Sequence, residues 1–173
     1  MKFKADRAAV PYSYLIDNIK VLLIFLVVFN HIIAFNLVKV DMVVRYIWYG
    51  ITIFHMPAFV FISGYLSKKP QNVLKNVKNL LIPYILGYSL TWYSQIWLGK
   101  SVDYEILRPT GTVMWYVLAL FAYRLTIEAM GKIRFIVPLS IIFALWAGTR
   151  PEFTTFLSAS RIVVFFPFFA AGY

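Results

Sequence analysis

Apolar residues run through this chain in long blocks, and polar residues fall in the short gaps between them. About 20 mainly apolar residues in a helix cross a bilayer, and the blocks predict such helices. The first runs from Leu15 to Val38, the second from Tyr46 to Leu66, the third from Leu80 to Leu98 and the fourth from Thr112 to Met130. A fifth, Ile133 to Ala147, is shorter and follows a tight turn at Gly131-Lys132. A sixth opens near Arg161 and reaches the last residue, Tyr173, short of a crossing length. The pattern predicts an all-α fold, a polytopic transmembrane helix bundle with five full spans and a truncated sixth. Residues 1–173 form a single domain in this reading, with no internal repeat.

Composition sharpens the picture. The chain is 61% hydrophobic and 14% charged, whereas a soluble domain carries about a quarter charged residues. There is no cysteine, which excludes disulfides, thiolate metal sites and a cysteine nucleophile. The formal charge is +10. Because the basic residues lie between apolar runs, they fit loops facing an anionic membrane leaflet, and nucleic acid is not an expected partner. The apolar run after the Met-Lys-Phe-Lys start is too long for a secretory signal, and no small-residue cleavage site follows it.

Lys and Arg in the loops set orientation. With the N-terminus cytoplasmic, the inner segments hold Lys2, Lys4, Arg7, Lys68, Lys69, Lys75, Lys78, Lys132 and Arg134. The outer loops hold Lys39, Arg45, Lys100, Arg108, Arg150 and Arg161. The count of nine to six favours a multi-pass plasma-membrane protein with its N-terminus inside.

Ionisable residues inside spans are costly and mark functional sites. In the first span, Lys20 and His31 stand eleven residues apart, which returns them to within about 20° on a helix and separates them by about 16 Å along it. Asp17 shares the side of Lys20, and Asn30 points elsewhere. The plainer account of Asp17 and Lys20 is a pair that snorkels to the interface. For His31 it is an interhelical hydrogen bond. In the second span His55 sits beside Pro57, whose ring removes a backbone donor and kinks a helix. His55 is placed to face His31 or to satisfy the broken backbone ladder. Ser63-Gly64 follows, small enough for close packing or for approach of a ligand. Arg124 and Glu128 are spaced for an i, i+4 ion pair. The sequence has no glycine-rich phosphate loop, no metal-ligand cluster and no Ser-His-Asp spacing.

These residues fall into a known pattern. Ile16-Asp17-Asn18-Ile19-Lys20 leads through ten residues to His31, and Phe54-His55-Met56-Pro57-Ala58-Phe59-Val60-Phe61-Ile62-Ser63-Gly64-Tyr65 follows. Leu81-Ile82-Pro83-Tyr84, Met114-Trp115-Tyr116-Val117 and Phe166-Pro167-Phe168-Phe169-Ala170-Ala171-Gly172-Tyr173 complete the order. The chain resembles the acyltransferase 3 family of integral membrane acyltransferases, most closely its fucose O-acetylase-like branch. Members of that family have about ten spans, so the resemblance is to the N-terminal half, and it implies a truncated frame or a separately encoded C-terminal half.

The resemblance implies transfer of an acyl group, usually acetyl, from cytoplasmic acyl-CoA to a carbohydrate hydroxyl across the lipid bilayer. It places catalysis on His31 and binding of the donor, acetyl-CoA, on Lys20 with Asp17. His55, Ser63 and Asn30 would line the site. No permanently bound cofactor and no metal are expected. Two other readings fit the buried histidines: half of a proton-coupled transport protein, or an inactive fragment of the acyltransferase.

Overall fold

The computed structural model describes residues 14–36, 41–68, 73–99, 114–130, 133–150 and 159–173. Every regular element among them is helical. In chain order these are α1 (Tyr14–Asn36), α2 (Met42–Leu66), α3 (Val73–Asn76), a π-helical stretch (Val77–Leu81), α4 (Ile82–Trp97), α5 (Trp115–Met130), α6 (Ile136–Gly148) and α7 (Ala159–Gly172). Among them, α1 and α2 are long and apolar enough to cross a bilayer, while α6 and α7 are apolar but shorter.

The element ends differ from the apolar blocks for local reasons. Leu37 and Val38, placed in the first span, lie outside the described residues, as do Thr112 and Val113 of the fourth and the Gly131-Lys132 turn. The same holds for Lys2, Lys4, Arg7, Lys39, Lys69, Lys100, Arg108 and Lys132 of the charge count. Helix α2 starts at Met42 rather than Tyr46 because Asp41 caps it: Asp41 Oδ1 accepts from the amides of Val43 at 2.7 Å and Val44 at 3.1 Å. The helical run expected from Leu80 begins at Val73 and passes through a π turn just before Pro83. Proline lacks an amide donor and its ring pushes against the carbonyl four residues back. The wide turn absorbs that, with the Ile82 amide reaching back five residues to the Val77 carbonyl.

The chain divides into two compact units. The first comprises residues 1–69 with 171–173, and the second residues 70–170. In the first unit α1 packs along α2. Five residues, 37–41, join them, so the two run antiparallel. Leu23, Asn30 and Ile33 of α1 are buried, whereas Val21, Leu22, Ile24, Phe25, Val28 and Ile32 are each more than half exposed. So broad an apolar surface suits hydrocarbon surroundings better than water. The last residues close on α2. A Cβ at Gly172 would overlap the Phe61 carbonyl oxygen, so glycine is what lets the two backbones touch.

In the second unit α5 and α7 run side by side in the same direction. Trp115 stacks on Phe165, and further along Tyr123 meets Phe166 and Phe169. Arg161 lies over the Trp115 ring at 5.6 Å, and Arg150, just past the end of α6, lies over Trp146 at 5.9 Å. Cation–aromatic pairs at helix ends are the side-chain chemistry of a membrane–water interface.

Candidate functional site

One pair of polar side chains, Asn30 and Thr52, meets across the α1–α2 seam. Asn30 is 6% exposed and donates from Nδ2 to Thr52 Oγ1 at 3.1 Å. Thr52 in turn donates to the Trp48 carbonyl of its own helix at 2.7 Å. Burial of an amide costs free energy unless its hydrogen bonds are made, so this pair fixes the register of α1 against α2. The interhelical bond anticipated as an alternative for His31 is therefore made by its neighbour, Asn30.

His31 is partly buried, and its Nδ1 lies 2.7 Å from the Val27 carbonyl oxygen. His55 is 2% exposed, and its Nδ1 lies 2.6 Å from the Ile51 carbonyl oxygen. A carbonyl only accepts, so Nδ1 carries the proton in each ring and Nε2 of the neutral imidazole holds a lone pair. His31 is held, by its own helix, in the tautomer a general base needs. His55 is held the same way.

One expectation for His55 is corrected. Pro57 deprives the Ile53 carbonyl of its amide partner four residues on, but the His55 ring bonds the Ile51 carbonyl instead. His55 therefore does not patch the proline, and α2 runs through Pro57 as one helix.

Lys20 and Asp17 form an ion pair at 2.5 Å, with side chains 36% and 38% exposed. Asp17 also lies in the first turn of α1, where a carboxylate complements the helix dipole. The pair shares a side with His31 by helix register and stands about 16 Å from it along the axis. Ser63 donates to the Phe59 carbonyl at 2.9 Å, a bond within its own helix. Its hydroxyl is therefore engaged with backbone, in keeping with a packing position next to buried Gly64.

Two features were not legible from spacing. The ion pair expected between Arg124 and Glu128 does not form: Glu128 is exposed, and Arg124 Nη1 donates to Asn76 Oδ1 at 3.1 Å. Asn76 is 1% exposed and opens the π turn, so the contact ties α5 to that turn. The indole Nε1 of Trp48 is buried without a hydrogen-bond partner among the described residues. Trp48, Thr52 and His55 occupy one side of α2 at i, i+4 and i+7.

A cavity of about 430 Å³ lies in the second unit between α5, α6 and α7. Leu139, Phe143, Ile162 and Phe166 are among its walls, and its Thr126 and Ser140 hydroxyls are bonded to their own helices. Its lining offers no imidazole, carboxylate or amine. Among the described residues no three His, Asp or Glu side chains gather as metal ligands would.

Residues 13–173 match the family model Acyl_transf_3, described as an acyltransferase domain. No curated protein and no solved structure matches the chain.

Proposed function

Since the chain belongs to the acyltransferase 3 family, a family of membrane acyltransferases, we propose that it moves an acetyl group from cytoplasmic acetyl-CoA to a hydroxyl of a cell-surface or exported carbohydrate. Its subtype in this reading is fucose O-acetylase-like. The reading takes the N-terminus as cytoplasmic, the membrane as the plasma membrane and the described helices as belonging to a five-span bundle.

His31 is the base. Its Nε2 takes the proton of the acceptor hydroxyl as that oxygen attacks the thioester carbonyl. The C–O bond forms, the C–S bond breaks, and the thiolate recovers the proton from Nε2. An imidazole can both accept and return that proton. Lys20 at the inner end of α1, steadied by Asp17, attracts the phosphates of coenzyme A. Asn30 sets the register of the seam. Ser63 lines it.

The observation that carries this reading is the hydrogen bond from His31 Nδ1 to the Val27 carbonyl, which leaves Nε2 as a lone-pair base. His31→Ala should reduce acetyl transfer to surface glycans by about 10²–10⁴-fold, the usual contribution of a proton-transfer group, while the protein still inserts in the membrane. Mass analysis of O-acetyl groups in cells making the variant or the unaltered protein reads this. Unchanged acetylation would remove His31 from the chemistry. Acetyl-CoA binding to membranes containing the protein separates this reading from a transport protein, which would not bind the thioester.

A further inference from the structure

The cavity of the second unit is a slot along its helices. Its lining runs from Met130 back to Tyr123 on α5 and from Ile136 on to Phe143 on α6. Each stretch covers seven residue steps, about 10 Å along its helix. Residues 131–135 connect the two helices, so Met130 and Ile136 mark one end of the slot. On each helix the lining positions recur at i, i+3 and i+7, which keeps them on one face.

The walls offer hydrocarbon contact and little else. Thr126 and Ser140 donate their hydroxyls to the Ala122 and Val137 carbonyls of their own helices. The Tyr123 hydroxyl is enclosed by protein, so its ring is what serves the wall. A sugar, nucleotide or peptide would bury polar groups there without partners, which is costly. A void would leave the lining without contacts. The slot opens along one side: Leu139 and Phe143 line it and are each about half exposed, whereas Ser140 is buried. Helix α6 carries no charged residue, so in a bilayer that side meets lipid tails.

One charge marks the connected end. Arg134 is exposed and stands two residues before Ile136, within about 7 Å of it along the chain. Its guanidinium lies over the Phe135 ring at 5.7 Å, and a stacked guanidinium keeps its N–H edge for an anionic oxygen. Glu128 is an acid near the same end. It stands two residues from both Thr126 and Met130, which puts it about 160° round α5 from either. An apolar slot with a cation at its end is complementary to an anionic amphiphile.

We propose that this slot is a lipid site: it holds one hydrocarbon chain of an anionic phospholipid, whose phosphate meets Arg134. The site is separate from the acyl-transfer chemistry given to His31, because none of its residues belongs to the α1–α2 seam.

Photolabelling tests it. The full chain is placed in phosphatidylcholine vesicles containing a trace of phosphatidylglycerol with a diazirine on one acyl chain, or of phosphatidylcholine carrying the same chain. After illumination, mass spectrometry of peptides reads the labelled residues. With the phosphatidylglycerol probe, Met130, Leu139 and Phe143 should be labelled well above Phe25, an exposed residue of α1. They should also be labelled about fivefold more by that probe than by the phosphatidylcholine probe, the preference one arginine supplies near a membrane surface. Ser140→Leu fills the slot, so labelling there should drop to the level of Phe25 while Phe25 itself is unchanged. Arg134→Gln alters an exposed side chain outside the packed helices and stays readable even where Ser140→Leu fails to insert; it should bring the ratio between the two probes to about one. Slot residues labelled no more than Phe25 would mean ordinary lipid contact or a slot filled by protein, and would overturn the proposal. Equal labelling by the two probes in the unaltered protein, or a ratio that survives Arg134→Gln, would overturn it as well.

Discussion

At the scale of single residues, the tautomer of His31 is decided by a backbone oxygen. The Val27 carbonyl already accepts the amide of its own helical turn, and its second lone pair takes Nδ1–H. No carboxylate is needed to orient the ring. Lys20 is in a different position. Its ion pair with Asp17 is more than one-third exposed, so the pair contributes little to stability and the ammonium can turn toward an anionic ligand. Lys20→Ala should therefore raise the KM for acetyl-CoA by about tenfold, the worth of about 1.4 kcal/mol, with little change in kcat. Steady-state kinetics at varied donor concentration check this, and an unchanged KM would leave Lys20 as an interfacial anchor. At this scale the sequence showed which residue types are out of place in a membrane. It did not show their partners, because a side chain's partner depends on which carbonyl or helix its rotamer meets. The Arg124–Glu128 spacing was correct for a pair on an isolated helix, yet Asn76 offered the guanidinium a buried acceptor.

At the scale of elements, the polar contact from Asn30 to Thr52 joins α1 to α2. Interhelical hydrogen bonds in membranes contribute about 0.6 kcal/mol on average. Thr52→Val keeps the shape, removes the hydroxyl and leaves the buried Asn30 amide without its partner. Its expected effect is a loss of about 1 kcal/mol, read as a lower midpoint in detergent-titrated unfolding. Transfer should fall as well, because this contact sets the register of the helix that carries His31. An unaltered midpoint and rate would show that packing alone sets the register. Gly172 has the stricter requirement. Any side chain there meets the Phe61 carbonyl, which belongs to a helix backbone and cannot move aside as a flexible side chain could. The apolar blocks revealed that helices exist, and the caps moved their ends: Asp41 advanced α2 by a turn, and the π turn ahead of Pro83 joined α3 to α4.

At the scale of the whole molecule, the proposed topology makes a direct prediction. The absence of cysteine gives single-cysteine variants a clean background. A membrane-impermeant thiol reagent applied to intact cells should label Lys100→Cys and not Lys4→Cys, and opening the cells should expose the latter. The reverse pattern would invert the orientation and move Lys20 away from cytoplasmic coenzyme A. Within the second unit, Arg161 over Trp115 and Arg150 over Trp146 agree with an interface at the start of α5 and α7 and the end of α6.

The sequence alone determined the helical class, the apolar surroundings and the order of motifs that places the chain in its family, because hydrophobic content and residue spacing are properties of the chain itself. It also singled out His31 and His55, since an imidazole in an apolar run is conspicuous wherever the helix lies. Only the tertiary structure decided that Asn30 and Thr52 join the helices and that both rings lean back on their own carbonyls. Those facts depend on how antiparallel helices slide past each other. That slide is fixed by side-chain contacts between residues distant in the chain, on which local spacing is silent.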